Sequence, residues 1–340
     1  MESPKVSVIL PCYNSERDLP NVLREIEKQT FKDRELLIID DGSTDKSRDI
    51  SSEYCASHTG ARLIRGEHSG LTHARNVGLR ESKGEVIFYA ESDCVYDEDY
   101  VEKAVNCLDG NPSDSAVCLT GGPLKLKSTL ATESIEIENF LQHKLLAEGK
   151  IKPFYAWVFR KAALEKLKGF DEGLFQGEDK DIFIRFKQAG YAVAWIPGIH
   201  WRHRRDQTTA ELATKFFRRG KSRIKYVMKH RLIIDLCKSL VPFWAFVIGI
   251  FLLFFYPVVG AGLLAFVLIL FLGRAVQVTR AVWGSVKMKR NFLGYPLYLV
   301  VRNFSSALGY MYGMLSLATR SEGKPDDRVR ETQADSIISP

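Results

Sequence analysis

Short apolar runs alternate with stretches of helical periodicity along the first 110 residues of the chain. The apolar runs at 6–10, 35–39, 61–64 and 86–91 predict strands, and the segments 19–26, 44–57 and 71–82 predict helices. Ser15 and Asp18 stand three residues apart before the first helix, a spacing that predicts a capping box. Because strands that alternate with helices form βαβ units, this half predicts an α/β, Rossmann-like fold with a mainly parallel sheet.

The alternation continues more loosely after Gly110. Strands are expected at 116–120 and 191–196, the second ending at Pro197. Helices are expected at 129–150 and from 177 to a stop at Gly190. We therefore expect residues 1–210 to form a single α/β domain.

The second half of the chain carries a long uncharged stretch of 35 residues, 239–273. As one helix it would be about 52 Å long, against a hydrocarbon core of about 30 Å. We therefore expect it to fold back near Tyr256-Pro257 as two membrane spans, with a shallow re-entrant hairpin as the alternative. A third apolar segment, 291–319, is interrupted by Arg302 and is either a span or an interfacial helix. The anchor, 239–319, thus has two or three helices, and the polar tail 320–340 is expected to be disordered.

The net charge of +7 is concentrated next to this apolar stretch: residues 215–238 carry nine Lys and Arg against the single acid Asp235. A basic flank beside a hydrophobic span marks the cytoplasmic side of a membrane. This favours anionic membrane lipid as a partner and argues against nucleic acid. Within 211–238, an apolar stripe predicts an amphipathic helix on the membrane surface; it consists of Leu212, Phe216, Ile224 and Val227/Met228. The alternative is a helix packed on the N-terminal domain.

The N-terminus is too short and too acidic for a signal peptide, so we expect a multi-pass cell-membrane protein whose first domain faces the cytoplasm. Its six cysteines are scattered without a CxxC pair, which indicates neither a disulfide framework nor a zinc site.

Acidic residues follow two of the predicted strands directly. Asp40 and Asp41 end the second strand, and Glu91 and Asp93 end the fourth. Ligands of open α/β sheets bind beyond the carboxyl ends of the strands. Two carboxylates at i and i+2 can share a divalent cation, and such a cation can hold a diphosphate. The sequence therefore predicts a nucleotide–metal site to which both acidic strand ends contribute.

Three ordered blocks resemble one known family. They are VSVILPCYN at 6–14, IIDDGSTD at 38–45 and GLTHARNVG at 70–78. Together they closely resemble glycosyltransferase family 2, and the likeness extends over residues 5 to about 225. The resemblance implies a GT-A catalytic domain and an inverting transfer of sugar from a nucleotide sugar, either a UDP- or a GDP-sugar.

The resemblance also implies roles for residues in these blocks. The nucleotide-sugar site would be formed by Pro11, Tyr13, Asn14, Asp40, Asp41, Arg75 and Ser92. A carboxylate such as Asp41 can accept hydrogen bonds from a uracil N–H or a ribose hydroxyl. The plain structural alternative for the two aspartates is a turn with a helix cap at Ser43 or Thr44. For Arg75 it is an ordinary surface arginine on a helix.

Glu91-Ser92-Asp93 corresponds to the family's Asp-any-Asp metal motif, with Glu replacing the usual first Asp. Asp93 is the expected direct ligand, and Glu91 acts through water or on the sugar. Mg²⁺ or Mn²⁺ suits oxygen ligands of this kind. His203 stands where relatives place a histidine that completes the metal or diphosphate site. His200 competes with it, and a structural histidine is the plain alternative.

Glu178-Asp179 matches the family's acceptor-site motif. By analogy, Asp179 is the general base that takes the proton of the acceptor hydroxyl, with Glu178 beside it. The structural alternative is a helix N-terminus enriched in acids. For Trp157, stacking on a sugar competes with a place in the core.

A catalytic site joined to a membrane anchor predicts a lipid-linked acceptor, namely a polyprenol-linked saccharide at the cytoplasmic leaflet. A polyprenyl-phosphate glycosyl synthase is the near alternative, and a non-enzymatic membrane scaffold is a further one. A nucleotidyltransferase is disfavoured because no glycine-rich phosphate loop follows the first strand.

Overall fold

The computed structural model describes residues 3–123, 129–150, 157–203, 208–282 and 294–319. The chain divides into two compact units. Described residues of the first unit fall within Met1–Leu124 and Gly149–Arg204, and those of the second within Lys125–Glu148 and Arg205–Lys324.

The first unit contains the strands and most of the shorter helices. In chain order, the elements before residue 124 are β1 Val6–Cys12, α1 Leu19–Lys28, β2 Arg34–Asp40, α2 Ser47–Ser57, β3 Ala61–Arg65, α3 Leu71–Glu81, β4 Val86–Tyr89, β5 Cys94–Tyr96, α4 Tyr100–Gly110 and β6 Asp114–Pro123. Helix α5, Leu130–Ala147, belongs to the second unit. The first unit continues with β7 Val158–Arg160, α6 Lys161–Lys166, α7 Glu178–Gln188 and β8 Ala192–His203.

The eight strands form one sheet in the order β3-β2-β1-β4-β7-β6-β8-β5. Strands β3, β2, β1 and β4 are parallel neighbours, and β6 is parallel to β8. Strand β7 is antiparallel to β4 and β6, and β5 is antiparallel to β8. This mixed, mostly parallel sheet with flanking helices confirms the predicted α/β fold. Because β1 to β4 run the same way, their carboxyl ends meet at one edge of the sheet.

Each face of this sheet is covered by helices whose apolar residues recur at helical spacing. On one face, Leu19, Val22 and Ile26 of α1 are buried against β1, β2 and β4. On the other face, Leu79 of α3 and Phe186 of α7 are buried in a second cluster with residues of the same strands. Burial of each such side chain contributes roughly 1.5–3 kcal/mol. The sheet is therefore held between two apolar layers, and its polar carboxyl edge lies outside them.

The second unit is helical. It consists of α5 Leu130–Ala147, α8 Thr209–Lys229, α9 Ile233–Phe255, α10 Pro257–Val282 and α11 Gly294–Ala318. Helix α9 ends and α10 begins at the predicted fold-back, Tyr256-Pro257. Among the described residues, two stretches are long and apolar enough to cross a membrane, Leu236–Phe255 and Pro257–Arg280, with mean hydropathies of 2.1 and 2.3. They are consistent with the predicted anchor, and a membrane position for α11 stays a prediction.

The apolar stripe of α8 has a partner inside this unit. Leu212 and Ile224 are buried, and α8 and α11 approach closely at glycines. A Cβ on Gly309 of α11 would lie 2.1 Å from the carbonyl oxygen of Phe217, and one on Gly220 would lie 2.3 Å from that of Ser306. The stripe expected to face the membrane surface or the N-terminal domain thus packs on α11. A lipid contact of the basic residues on α8 stays a prediction.

Helix α5 packs with the helical unit, although it lies inside the segment expected to form one α/β domain. Ile137 and Leu141 of α5 share an apolar cluster with Phe271 of α10. Glu138 accepts hydrogen bonds from the hydroxyls of Tyr295 and Tyr298 on α11, at 3.1 and 3.0 Å. The sequence of α5 did not indicate with which of the two units this helix would pack.

Two local expectations were wrong. Strand β8 does not end at Pro197 but continues to His203, because its register with β6 shifts between Leu119 and Thr120 and accommodates the proline there. The predicted capping box is absent, since α1 begins after Asp18 without a side-chain cap. The Ser15 hydroxyl instead donates to the carbonyl of Tyr13 and lies 3.3 Å from Ser92 Oγ. The tail 320–340 lies outside the described residues.

Candidate active site

The loop after β1 connects the two acidic strand ends. Asn14 has a positive φ of 46°, and its side-chain oxygen accepts a hydrogen bond of 2.8 Å from the backbone N–H of Thr44. Its own N–H donates to Ser43 Oγ at 3.1 Å. Ser15 next to it reaches Ser92 of the fourth strand's motif, Oγ to Oγ 3.3 Å. The loop that carries the predicted residues Tyr13 and Asn14 therefore touches both acidic motifs, and the predicted residue Pro11 lies just before it, in β1.

Asp40 is fully buried at the end of β2. Its Oδ1 accepts from the N–H of Ser43 at 3.0 Å, and its Oδ2 accepts from Nε of Arg48 at 2.9 Å. These bonds hold the turn that follows the strand. Asp40 thus stabilises a turn, as the structural alternative expected. The helix cap of that alternative is not observed, since α2 begins at Ser47 and neither Ser43 nor Thr44 caps it. A contact between Asp40 and a nucleotide stays a prediction.

Asp41 holds the start of α3. Its two carboxylate oxygens accept hydrogen bonds of 2.9 Å from the backbone N–H groups of Ser69 and Gly70. Nδ1 of His68 lies 2.8 Å from Oδ2 of the same carboxylate. Gly42 follows with φ of 78°, and a Cβ there would lie 2.7 Å from the His68 backbone nitrogen. Hydrogen bonds to the carboxylate of Asp41 therefore connect the loop after β2 to the loop between β3 and α3.

His68 also stacks on Tyr13, with ring centroids 3.9 Å apart and planes 19° apart. Its side chain is 13% exposed. The sequence gave no sign of this residue, because it lies two positions before the recognised block at 70–78. Through its stack on Tyr13 and its contact with Asp41, His68 joins two of the predicted nucleotide residues.

A cavity of about 220 Å³ lies at the ends of β2 and β3 against α3, with Asp41, Arg65 and His73 in its lining.

Arg75 is buried, with 1% of its side chain exposed, so it is not the surface arginine of the structural alternative. Its Nη1 lies 3.1 Å from Oε1 of Glu178, and its Nη2 lies 3.4 Å from Oε1 of Glu91. Its guanidinium carbon sits 4.7 Å from the ring centre of Trp157 and 5.2 Å from that of Phe170. Arginine is suited to such a position because its planar group stacks and bonds in several directions. Arg75 thus links Glu91 of the predicted metal motif to Glu178 of the predicted acceptor motif.

The metal motif offers a compact set of ligand atoms. One atom each of Glu91, Asp93 and Cys94 lies within 4.8 Å of the others. The thiol of Cys94 lies 3.5 Å from Oε2 of Glu91 and 3.9 Å from Oδ1 of Asp93. Burial, and next the charge of Glu91, raise the pKa of Cys94, so the thiol keeps its proton and donates to the carboxylates. The two carboxylates suit Mg²⁺ or Mn²⁺, because these ions prefer oxygen ligands to sulfur.

His203 is placed beside this motif by its strand. In the antiparallel pair of β5 and β8, His203 stands opposite Cys94. His200, its competitor in the sequence, stands opposite Thr120 of β6. The register therefore brings the backbone of His203, rather than that of His200, alongside the acidic motif.

Glu178 and Asp179 open α7, directly after Gly177, whose φ of 88° turns the chain. Glu178 is 13% exposed. Its burial and the neighbouring charge of Asp179 raise its pKa to about 7, while the guanidinium of Arg75 opposes that rise. Asp179 is partly exposed, and its Oδ1 accepts the backbone N–H of Lys180 at 2.8 Å. The two adjacent carboxylates thus have different partners: Glu178 contacts Arg75, and Asp179 accepts a backbone hydrogen bond at the start of α7.

Comparison with known proteins gives the family. The Glycosyl transferase family 2 sequence model matches residues 7–168, and that of Glycosyl transferase family group 2 matches 156–279. EpsH of Bacillus subtilis is 30% identical over 239 residues, which cover 65% of this chain and 67% of EpsH. The glycosyltransferase AglE of Haloferax volcanii is 26% identical over 236 residues, which cover 67% of this chain and 76% of AglE.

Among solved structures, the mannosyltransferase PcManGT from Pyrobaculum calidifontis, in complex with GDP-Man and Mn²⁺, superposes with a TM-score of 0.60. It is 20% identical, and the match covers 92% of this chain and 88% of that one. The fold is that of the GT-A type of glycosyltransferase. The chain belongs to glycosyltransferase family 2, as its sequence blocks indicated.

Proposed function

We propose that this glycosyltransferase is metal-dependent and inverting, and moves a sugar from a UDP- or GDP-sugar to a polyprenol-linked saccharide at the cytoplasmic leaflet. The observation that carries the proposal is the position of Arg75 between Glu91 and Glu178. Arg75 contacts one acid expected to face the donor diphosphate, Glu91, and one expected to face the acceptor, Glu178.

The donor side is formed by the ends of β1, β2 and β4. Tyr13 and Asp41 would hold the base and ribose, with Asn14 shaping the loop between them. The structural neighbour that shares the fold was solved with GDP-Man and Mn²⁺. Asp93 and Glu91 would hold the divalent cation here, with His203 as a further candidate. The bound cation would neutralise the charge that develops on the departing nucleoside diphosphate.

The acceptor side is formed by the start of α7. Asp179 accepts the proton of the acceptor hydroxyl as that oxygen bonds to the anomeric carbon. The bond from the anomeric carbon to the diphosphate oxygen breaks on the opposite face, so the configuration inverts. Asp179 suits this role because its carboxylate is partly exposed, so that an acceptor hydroxyl can approach it. Glu178 has a pKa of about 7 and stays partly protonated, so it can donate a hydrogen bond to a sugar hydroxyl.

A hydroxyl acceptor is favoured over a polyprenyl phosphate by the same pair of acids. A phosphate acceptor is already ionised and needs no base. Carboxylates beside it would also repel it. The lipid carrier is supported by the exposed apolar side chains of the hairpin of α9 and α10, such as Phe254 at 81% and Val258 at 85% exposed. Side chains of this kind are stable in hydrocarbon and costly in water.

The test is transfer of radiolabelled sugar from UDP- and GDP-sugars to extracted lipid by the full-length protein, with and without Mn²⁺. We expect transfer that EDTA abolishes, and a product of inverted anomeric configuration. Asp179→Asn and Asp93→Asn should each lose transfer, whereas Glu98→Gln, an exposed acid a few residues after the metal motif, should not. Absence of transfer from every common donor by the unaltered protein would refute the proposal.

A further inference from the structure

We propose that Asn76 is a positioning residue for the acceptor side of the site: it fixes the loop that leads into Glu178-Asp179. The inference rests on the proposed function, because it concerns the acceptor-side residues of that same reaction. Asn76 stands next to Arg75 on α3, and neither its spacing nor its family block assigns it this task.

The amide of Asn76 is fully engaged by one loop. It is buried, and its Nδ2 donates to the carbonyl of Phe170 at 2.9 Å and to Oε1 of Glu172 at 2.8 Å. Its Oδ1 accepts the N–H of Phe170 at 2.8 Å. Both backbone groups of Phe170 are therefore paired with a single side chain. A buried backbone group that loses such a partner costs roughly 1–3 kcal/mol.

The loop is also shaped to receive this amide. Gly169 has φ of 66°, and a Cβ at this position would lie 2.3 Å from Oδ1 of Asn76. The glycine is thus needed both for its backbone conformation and for the close approach of Asn76.

The same loop is bound to α7, the helix that starts with the acceptor motif. Arg185 of α7 donates to the carbonyls of Leu167 and Gly169, each at 2.8 Å. Its Nε lies 2.8 Å from Oδ2 of Asp181, which is fully buried. A displacement of the loop at Phe170 is therefore carried to α7 and hence to Glu178-Asp179.

Helix α3 thus holds this segment at two places. Asn76 binds the backbone of Phe170, at the start of the segment 170–178. Arg75 contacts Glu178 at the end of that segment, and its guanidinium also lies over the ring of Phe170. His73, one turn earlier, lies 2.9 Å from Glu172. Because a misplacement of about 1 Å in a reacting group can cost about 100-fold in rate, loss of Asn76 should lower kcat and leave the donor in place.

The experiment measures three quantities for Asn76→Ala in the full-length protein: kcat for transfer to lipid acceptor, KM for the donor, and the affinity for the free nucleoside diphosphate by calorimetry. We expect kcat to fall about 100-fold. Both donor parameters should change less than about threefold, because the side-chain partners of Asn76 among the described residues, Phe170 and Glu172, are not assigned to the donor side. Asn21→Ala, an asparagine on the surface of α1, is the matched control and should leave all three unchanged.

Gly169→Ala provides a second, independent route, because its methyl group would displace the same amide. It should show the same loss of kcat at unchanged nucleotide affinity. Wild-type kcat in both variants, or loss of nucleotide affinity in step with kcat, overturns the inference. Failure of the proposed function is recognised separately, since the unaltered protein would then transfer no sugar.

Discussion

Nη1 of Arg75 lies 3.1 Å from Oε1 of Glu178, and both side chains are largely buried. The pair joins α3 to α7, and a second, longer contact of 3.4 Å joins the same guanidinium to Glu91. A buried charge without its partner is strongly destabilising, so these three groups depend on one another. Glu178 of the predicted acceptor motif and Glu91 of the predicted metal motif are therefore connected through Arg75.

Replacing Arg75 with lysine should impair the enzyme although the charge is kept. Lysine is a point charge that cannot bond two carboxylates while stacked on Trp157 and Phe170. A charged hydrogen bond contributes roughly 1.5–3 kcal/mol, so kcat/KM should fall about 10- to 100-fold. Arg80→Lys, at an exposed position of the same helix, is the control. Equal kcat/KM for Arg75→Lys and wild type would show that the bridge has no catalytic role.

The raised pKa of Glu178 predicts how stability changes with pH. Its pKa is about 7 in the folded protein against an ordinary 4.5, so the folded state binds more protons than the unfolded state between these values. The free energy of unfolding contributed by this group therefore falls as the pH rises from about 4.5 to 7. Because glutamine carries no charge at any pH, the Glu178→Gln protein should lack this pH-dependent contribution to the free energy of unfolding.

Thermal melts at pH 5 and pH 8 check this sign. The melting temperature of the wild type should fall over this interval by more than that of Glu178→Gln. Glu165→Gln, an exposed acid on α6, should behave as the wild type. An identical pH dependence in Glu178→Gln and wild type contradicts the assignment.

His68 should contribute to nucleotide affinity through Asp41 and Tyr13. Loss of its ring in His68→Ala removes a stack and a contact with a carboxylate, and we expect UDP or GDP to bind about 10-fold more weakly. The matched control is His58→Ala, because His58 also stacks on a tyrosine, Tyr54, and contacts a glutamate, Glu27. Calorimetric titration with the nucleotide measures both. An equal effect of the two substitutions would mean that His68 is structural only.

The fold could be predicted because its signals are local. Each of the first strands is an apolar run of suitable length, and the acids at the ends of β2 and β4 mark where the strands stop. The short strands β5 and β7 carry no such signal, since three residues show no periodicity. The passage of β8 through Pro197 depends on a register shift in its partner β6, and that is a property of two distant segments.

Of the site residues, only those that lie in recognised sequence motifs could be predicted from the sequence. Arg75 was recognised from its block, but its burial depends on Trp157 and Phe170, which reach it only in the folded chain. His68 and Asn76 have no charge pattern or spacing that singles them out. Their roles arise from partners on other elements, so no reading of neighbouring residues could have found them.

Membrane insertion of the hairpin of α9 and α10 gives a final test. Ile269 lies near the middle of the second candidate span and is 65% exposed. An arginine at the centre of a spanning helix costs about 2.5–3.5 kcal/mol, so Ile269→Arg should weaken insertion. Ile234→Arg is the control, because Ile234 is 73% exposed but precedes the first span. In flotation with liposomes, wild type and Ile234→Arg should rise with the lipid and Ile269→Arg should be depleted; flotation of all three alike would argue against a hairpin buried in hydrocarbon.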